Sequence, residues 1–335
     1  MVKELEDICA RVFGRQPDEV LRPGGASRRT ILVRIGSAQY AIAKRSSSSR
    51  AALEASALKH LSGTGHAPAL VHCEGRFVIQ TAVAGERLSE KLDRATPSEA
   101  RDWTQKAALS LALLQDTAAH SPLVAQLPRI GARDGWETDL ATVPLRLAER
   151  LELPLPDYDL AEVESMLAVT SFQPVKWDAR PGNALCTPDG RVVWIDWEHC
   201  GLRRATDDLA WLLADEWCPQ HPDLEPLLVS QFAASSPEHF STMAILHAFI
   251  RVDLILSRLG NGLWWDRGTC LAQDKIGVTE SELRLQLMKI QRWSAALGSA
   301  AGLSKLAGSI GRNTFGIQRL AEGQTDARSI RASFP

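Results

Sequence analysis

Two short stretches near the middle of the chain decide the fold class. Residues 176–183 read KWDARPGN, and residues 194–198 read WIDWE. Between them, Pro188-Asp189-Gly190 predicts a tight hairpin turn. The runs VKWD, NALC and VVWID predict short strands inside a part of the chain that is otherwise helical in pattern. A loop that carries chemistry is therefore expected within 174–197.

The side chains in these stretches are those that phosphoryl transfer requires. A carboxylate must orient the attacking hydroxyl and accept its proton, while an amide oxygen and a second carboxylate hold magnesium against nucleotide phosphates. Asp178 suits the first task, and Asn183 with Asp196 suits the second. The loop from Asp178 to Asn183 is short enough for both side chains to face one nucleotide, and the hairpin then brings Asp196 to the same place.

The pattern D-x-x-x-x-N, followed by a strand that ends in I-D-W-E, resembles the catalytic and metal-binding segments of the aminoglycoside phosphotransferase and choline kinase family. The resemblance implies a bilobal, protein-kinase-like α+β fold. A small N-terminal lobe, an antiparallel sheet with one helix, would span residues 1–84. A larger, mainly helical lobe would span 85–335 and hold the catalytic loop, the metal site and the substrate pocket.

The same resemblance implies the reaction and its cofactors. ATP and Mg²⁺ are expected, with transfer of the γ-phosphoryl group to a hydroxyl of a small molecule such as an aminoglycoside, an amino alcohol or a related metabolite. Asp208, in the run TDDLAW at 206–211, aligns with the family aspartate that supports the catalytic loop.

Periodicity gives the order of the elements. An amphipathic helix at 3–13 precedes short apolar runs separated by turn residues, as in a small sheet. Strands are expected at 19–22, 30–35, 39–44, 69–73 and 77–81, with one helix at 50–61. Longer helices are expected at 98–117, 137–151, 160–169, 238–259 and 281–296. From 298 onward the periodicity is weak, so the tail is expected either to be partly disordered or to lie against the helical lobe.

The resemblance assigns the nucleotide site partly to the N-terminal sheet. Gly24, Gly25 and Ser27 lie in a turn where backbone N–H groups can approach phosphate, and Ser27 is expected to contact it. An ordinary hairpin turn is the alternative for Ser27. Adenine is expected to pair with backbone groups between Thr81 and Val83, where the sheet meets the second lobe.

A lysine–glutamate pair is expected behind the phosphates. In the family, a lysine at the end of the third strand grips the α- and β-phosphates and is held by a helix glutamate, and Lys44 and Glu54 occupy those places. Arg45 is an adjacent rival for the cationic role. Strand alternation places Lys44 on the face of Tyr40 and Ile42, and Arg45 on the opposite face. We predict Lys44.

Two residues of the catalytic stretch, residues 174–197, leave alternatives open. Lys176 stands where family members usually carry a histidine, which makes an inactive, nucleotide-binding kinase-like protein conceivable. Arg180 stands where protein kinases place a lysine near the transferred phosphoryl group, and it is expected to stabilise charge there. A protein kinase is disfavoured by the short glycine turn and by the absence of an evident A-P-E segment.

Composition limits the partners. The 335 residues carry 38 Lys and Arg against 40 Asp and Glu, so no basic field exists to attract nucleic acid or anionic lipid. No segment approaches the roughly 18 uninterrupted apolar residues of a membrane span, and the N-terminus mixes charges where a signal peptide needs an apolar run. We expect a cytoplasmic protein with neither nucleic acid nor a membrane as partner.

The acceptor is less constrained by the sequence. Glu198 in I-D-W-E resembles the choline, ethanolamine and thiamine kinases more than the antibiotic-modifying enzymes. A cationic acceptor is one option, because aromatic faces can bind amines, although core packing explains most tryptophans equally. The tryptophans near the catalytic stretch are Trp177, Trp194, Trp197, Trp211 and Trp217. The acids that could attract a cation, or simply line a solvated helix, are Asp207, Asp208, Asp215, Glu216, Asp223 and Glu225.

Overall fold

The computed structural model describes residues 2–22, 30–233, 235–260 and 262–331. Its N-terminal lobe contains the strands β1 (Glu19–Leu21), β2 (Thr30–Ile35), β3 (Ala38–Lys44), β4 (Leu70–Glu74) and β5 (Phe77–Thr81). They form one antiparallel sheet in the order β1-β2-β3-β5-β4. All five predicted strands are confirmed, with each end within one residue of its predicted place, because turn residues bound every apolar run.

Two helices cover opposite faces of this sheet. The first, α1 (Val2–Phe13), buries Leu5, Ile8 and Cys9 against the face that carries Ile42 and Ile79. The second, α2 (Ser48–Leu61), begins at a cap in which the Ser47 hydroxyl accepts the N–H of residue 50, and it packs against β4 and β5. Since α1 covers the Ile42 face, the alternate residues of β3 face the rest of the molecule.

The remainder of the chain is mainly helical. Its helices are α3 (Leu88–Arg94), α4 (Pro97–Ala119), α5 (Trp136–Ala141), α6 (Val143–Arg150), α7 (Leu160–Leu167), α8 (Thr206–Ala214), α9 (Glu225–Val229), α10 (Pro237–Leu259), α11 (Arg267–Ala272), α12 (Glu280–Ala295) and α13 (Ala301–Arg331). Four of the five predicted long helices are confirmed with ends shifted by at most two residues. The fifth, at 137–151, is broken at Thr142, and Pro144 lies in the first turn of the second piece.

Short strands carry the catalytic stretch between the helices. They are β6 (Glu86–Arg87), β7 (Gln173–Val175), β8 (Ala184–Cys186), β9 (Val192–Trp194) and β10 (Gly201–Arg203). β6, β8 and β9 form one small sheet, and β7 pairs with β10. The segment that leaves the N-terminal lobe is therefore hydrogen-bonded to the hairpin that follows the catalytic loop.

The tail lies against the helical region. α13 packs on α12 and buries Leu303, Leu306, Ala307 and Ile310, which recur at the spacing of one helix face. The glycine, serine and alanine residues between them obscured that stripe in the sequence. Of the two expectations for the tail, packing is confirmed for this stretch.

Helix α10 passes through the centre of the helical region. Among the described residues it is the helix that is long and apolar enough to cross a membrane by length and composition. However, 67% of the apolar 18-residue segment of this helix is buried inside the molecule, as in a core helix.

Packing of α1 on the sheet gives a stability prediction. Ile8 is fully buried, so Ile8→Ala is expected to lower the free energy of unfolding by about 2–5 kcal/mol in urea titrations. Val20→Ala, at a side chain that is 41% exposed on β1, is the control and should change it by less than about 0.5 kcal/mol. Equal effects would contradict the packing of α1.

Candidate active site

A cavity of about 450 Å³ lies between the N-terminal sheet and the helical region. Four of the predicted site residues line it: Thr81 and Val83 from the end of β5, and Asn183 and Asp196 from the catalytic stretch. Residues from both halves of the molecule therefore border one space.

The predicted catalytic loop, residues 178–183, brings Asp178 against Asn183. The Asn183 amide Nδ2 donates to Asp178 Oδ2 over 2.8 Å and to the Asp178 main-chain oxygen over 2.9 Å. A 3₁₀ turn, Pro181–Asn183, closes the loop. The N–H of Ile195 donates to the Asn183 carbonyl over 2.9 Å, which fixes Asp196 beside the loop. The predicted proximity of these three side chains follows from local hydrogen bonds.

The backbone at this site is strained. Five non-glycine residues of the described chain have positive φ, and four of them, Trp177, Asp178, Asp196 and Asp274, lie at this site. Left-handed conformations of such residues cost on the order of 1–3 kcal/mol each and persist only where surrounding contacts enforce them. The loop is therefore held in shape by its neighbours.

Asp208 provides much of that support. Its carboxylate accepts the N–H of Lys176 over 2.7 Å and the N–H of Trp177 over 2.8 Å, and Gln115 donates to it over 2.8 Å. Complete burial raises the pKa of Asp208 to about 6, although these donors oppose the shift. The predicted support of the catalytic loop by Asp208 is confirmed.

Lys176 braces the loop in a second way. Its side chain is 1% exposed, and Nζ donates to the main-chain oxygen of Asp196 over 2.9 Å. The ammonium also lies 5.9 Å and 5.5 Å from the ring centroids of Trp194 and Trp197. Burial lowers the pKa of Lys176, while Asp178, Asp196 and Asp208 oppose that shift. The lysine thus ties the catalytic loop to the segment that carries Asp196.

The predicted pairing of Lys44 with Glu54 is wrong. Lys44 Nζ lies 2.8 Å from both carboxylate oxygens of Glu4 and 5.4 Å from the ring centroid of Phe77. It projects from the side of the sheet that α1 covers, away from the cavity. The cause is tertiary, because the position of α1 decides which face of β3 is turned toward the helical region.

Arg45 occupies the place expected for Lys44. It is 5% exposed and forms a bidentate ion pair with Glu54, whose side chain is fully buried. Arg45 Nη1 also lies 2.9 Å from Asp196 Oδ1 and 3.3 Å from Glu198 Oε1. Burial opposes the charged form, yet Asp196 and Glu54 raise the pKa of Arg45. A permanent cation therefore connects the sheet to the Asp196 segment.

The charge state of Asp196 follows from this contact. Burial alone would raise its pKa, but Arg45 and Lys176 hold the pKa of Asp196 below the ordinary value. Its side chain is 35% exposed and lines the cavity. Asp196 is thus an ionised oxygen donor at neutral pH.

Arg180 lies beside Asp178, the predicted base. Its Nε is 3.2 Å from Asp178 Oδ1, and its Nη2 is 3.8 Å from Asp274 Oδ1. Asp274, from the turn after α11, approaches so closely that a Cβ at Gly182 would be 2.1 Å from its Oδ1. Any side chain at position 182 would therefore force Asp274 to move.

Three cavity residues have no counterpart in the sequence-based prediction. Asp274 lies far along the chain from the catalytic stretch, and Arg87 Nε is 4.0 Å from Asp274 Oδ2. Gln80 is 5% exposed. Gln80 Oε1 and Arg87 Nε are buried without a hydrogen-bond partner among the described residues, and both side chains line the cavity. In the sequence, only Gly182, within Pro-Gly-Asn, indicates that another segment approaches this turn closely. A glycine does not identify which residue approaches it.

The remaining predicted nucleotide contacts fall into two groups, one outside the described residues and one at the end of β5. Gly24, Gly25 and Ser27 lie outside the described residues. At the end of β5, the N–H of Thr81 donates to the Ala69 carbonyl over 2.9 Å, and the N–H of Ala82 donates to the Gln39 carbonyl over 3.1 Å. Both donors are therefore committed to the sheet.

A model of the APH family, described as the phosphotransferase enzyme family, matches residues 19–244, more than half of the chain. The chain belongs to this family. No curated protein matches it in sequence. Family and fold together support a small-molecule phosphotransferase.

Solved structures of the APH and choline kinase group share the fold. The choline kinase of Cryptosporidium parvum has a TM-score of 0.53 at 13% identity, over 92% of this chain and 99% of its own. An aminoglycoside phosphotransferase of Alicyclobacillus acidocaldarius has 0.52 at 13%, over 88% and 93%. The AMP-bound spectinomycin phosphotransferase has 0.53 at 11%, over 91% and 97%. The predicted kinase-like fold is confirmed.

The acids considered as attractants for a cation have partners inside this APH protein. Asp208 supports the loop, and the exposed Asp223 pairs with Arg101. The other four are buried: Asp207 with Arg203 and His239, Asp215 and Glu216 with Arg251, and Glu225 with Arg292. They form neither a solvated face nor an open acidic surface.

Of the five tryptophans near the catalytic stretch, three are core residues and two are not. Trp194, Trp197 and Trp217 are at most 5% exposed. Trp177 and Trp211 line a second cavity with His247. The ring centroids of Trp177 and Trp211 are 5.5 Å apart, and those of Trp211 and His247 are 3.9 Å apart. This cluster anchors the residue that precedes Asp178.

His247 gives a pH prediction. Burial, followed by the nearby Arg251 and Arg203, lowers the pKa of His247 to about 3. Below about pH 6.5 the His247 side chain therefore binds a proton in the unfolded chain but not in the folded one. The folding stability that is present above about pH 6.5 is lost as the pH falls. Between about pH 7 and pH 5, wild type should lose about 2 kcal/mol more unfolding free energy than His247→Phe. The control His120→Phe, at an exposed histidine, should follow wild type, and parallel curves for His247→Phe would contradict the assignment.

Proposed function

We propose that this protein transfers the γ-phosphoryl group of ATP to a hydroxyl of a small molecule, with Asp178 as the base. The observation that carries the proposal is the convergence at one cavity of Arg45 from the sheet with Asn183 and Asp196 from the helical region. These groups, with Asp178 hydrogen-bonded to Asn183, are the parts that phosphoryl transfer requires. The lobes would meet at this cavity, with their boundary between residues 84 and 85.

The adenine would bind at the end of β5. Val83 lines the cavity, and no hydrogen bond from its N–H is made within the described residues. The buried Gln80 Oε1 offers an acceptor for the exocyclic amine of adenine. The AMP bound to spectinomycin phosphotransferase, which has the same fold, supports an adenine nucleotide.

The phosphates would lie between two arginines and the metal ligands. Arg45 and Arg87 supply permanent positive charge, and Arg87 Nε has no hydrogen-bond partner among the described residues. Asn183 turns its Nδ2 toward Asp178, which leaves Oδ1 for a cation beside the ionised carboxylate of Asp196. Such oxygen donors suit Mg²⁺, which when bound neutralises charge on the β- and γ-phosphate oxygens.

Asp178 would receive the proton of the acceptor hydroxyl. As that oxygen forms its bond to the γ-phosphorus, the bond to the bridging oxygen of ADP breaks and the proton moves to the Asp178 carboxylate. Despite burial, Asp178, Asp215 and Asp274 raise the pKa of Arg180, so a fixed cation stands beside the transferred group. Lys176 braces the loop, which favours an active enzyme over the inactive alternative.

A cytoplasmic location is part of the proposal. All six cysteines are free thiols, and five of them are buried, as expected in a reducing compartment.

The base is tested by Asp178→Asn. We expect wild type to consume ATP in the presence of at least one member of a panel of aminoglycosides, amino alcohols, sugars and vitamins. Asp178→Asn should lower kcat by about 10²–10⁴-fold with nucleotide affinity retained, because proton transfer to the base is lost. Asp189→Asn, at an exposed carboxylate in the nearby hairpin, should leave kcat within about twofold. Nucleotide binding by wild type without turnover on any acceptor would favour an inactive protein.

Arg45 and Lys44 can be compared directly. Removing Arg45 alone would leave Glu54 buried and unpaired, at a cost of about 3–5 kcal/mol, so the informative variant is Arg45→Met with Glu54→Gln. Its affinity for MgATP in calorimetry should fall by about tenfold or more, since a charge-assisted contact contributes about 1.5–3 kcal/mol. Lys44→Met should leave the affinity within about twofold. The reverse order would return the role to Lys44.

A further inference from the structure

A second cavity, of about 510 Å³, adjoins the catalytic loop on its Trp177 side. It is lined mainly by residues of α5, α6, α8 and α10, and Trp177 forms part of its wall. Trp177 is bonded to Asp178, and neighbouring Cα atoms are about 3.8 Å apart. The wall of this cavity therefore includes the residue next to the proposed base.

The walls of the cavity are largely aromatic. The rings of Trp136 and Trp177 have centroids 6.3 Å apart, and the ring of Trp211 lies 5.5 Å from that of Trp177. Leu140 and Met243 add apolar surface. The ring planes meet at 54° and 71°, so the three side chains contact one another and form a continuous aromatic wall. An aromatic ring packed against this wall would gain energy beyond simple area burial.

Two polar atoms in the wall lack partners. Trp211 Nε1 and His247 Nε2 are buried without a hydrogen bond to any described residue. His247 is 4% exposed, and both residues line the cavity. Buried polar groups in native proteins almost always have partners. A ligand that offers a hydrogen-bond acceptor to the Trp211 N–H would provide one.

The charge of the wall is positive. Arg133 pairs with Asp139, and Arg150 pairs with Asp253. Arg146 donates to the Thr142 hydroxyl over 2.5 Å and to the main-chain oxygen of Asp139 over 2.8 Å, and no carboxylate of the described chain forms an ion pair with it. One arginine charge is therefore left over at the edge of the cavity.

We propose that this cavity holds the phosphate acceptor, and that the acceptor is a planar aromatic alcohol with an anionic group. This inference rests on the function proposed above and specifies its substrate class. The ring lies against Trp177 and Trp211, the anionic group pairs with Arg146, and the hydroxyl is presented to Asp178. An amine is disfavoured, because the nearby buried acids already have internal partners.

Three matched ligands test the charge preference without requiring turnover. 2-Naphthylacetate, 2-(2-naphthyl)ethanol and 2-(2-naphthyl)ethylamine share one ring and differ in the charge of the side group. In isothermal titration calorimetry the acetate should bind about tenfold more tightly than the amine, with the alcohol between them, as one uncompensated charge near a protein surface implies. Amine binding equal to or tighter than acetate binding, or no binding of any of the three, overturns the inference.

Variants identify the residue that interacts with the charged group of the ligand. Arg146→Gln should reduce the acetate-to-amine ratio to about twofold or less and leave the affinity for the alcohol unchanged. The control Arg101→Gln, which removes an exposed arginine from the ion pair with Asp223, should keep the tenfold ratio. Trp211→Phe keeps a ring in the wall but removes the N–H, and should weaken acetate binding about threefold to tenfold. A ratio that survives Arg146→Gln contradicts the role of Arg146.

Competition distinguishes the acceptor site from a separate site. With an acceptor identified on the panel, 2-naphthylacetate should inhibit competitively against that acceptor and not against ATP, and Arg146→Gln should weaken the inhibition to the level given by the neutral alcohol. Binding without competition would show that the cavity is not the acceptor site. Either failure leaves the Asp178→Asn result intact, so the substrate class and the phosphotransferase function fail separately.

Discussion

The buried ion cluster around Arg45 is the contact on which the geometry of the site depends. Arg45 reaches from the sheet to Glu54 of α2 and to Asp196 and Glu198 of the helical region. Because charges removed from water need well-placed partners, this cluster tolerates few relative positions of the two halves. Two further hydrogen bonds strengthen the connection: Arg50 donates to the Glu198 carbonyl over 2.8 Å, and the Trp197 N–H donates to Glu54 over 3.4 Å. The cation and the ionised Asp196 thereby share one cavity.

What the sequence predicted well is what local interactions determine. The strands of the N-terminal sheet follow from apolar alternation between turns, and the catalytic loop follows from six consecutive residues whose ends, Asp178 and Asn183, are hydrogen-bonded to each other. The choice between Lys44 and Arg45 depended instead on α1, a helix far from both in sequence. Alternation separated the two side chains correctly but could not say which face of β3 would be covered. Side-chain size offered a clue, since the bulky Tyr40 and Ile42 need a covering element, whereas the opposite face carries alanines and leaves room for a ligand.

Other features of the site arise only when distant segments meet. Asp274 contacts the catalytic loop from a turn beyond α11, and nothing in its own neighbourhood distinguishes it from a surface acid. The second cavity needs faces from four helices, α5, α6, α8 and α10, together with Trp177. Periodicity identifies the apolar side of each helix, yet it fixes neither the angles between helices nor the space left among them. The shape of an acceptor pocket is therefore a property of packing that no single segment encodes.

The charge of a binding site is likewise difficult to predict from the sequence. Six acids in 207–225 suggested an attraction for cations, but each is neutralised by an arginine or held by other polar groups of the fold. The electrostatic field that a ligand meets comes from the charges that remain after such pairing. Its sign can be opposite to the net charge of the neighbouring sequence. Around the second cavity, two arginines are matched by Asp139 and Asp253, and His247 is kept neutral because burial lowers its pKa to about 3. The remaining positive charge belongs to Arg146, so the chemistry of the occupant is set by the one group whose charge the fold leaves unmatched.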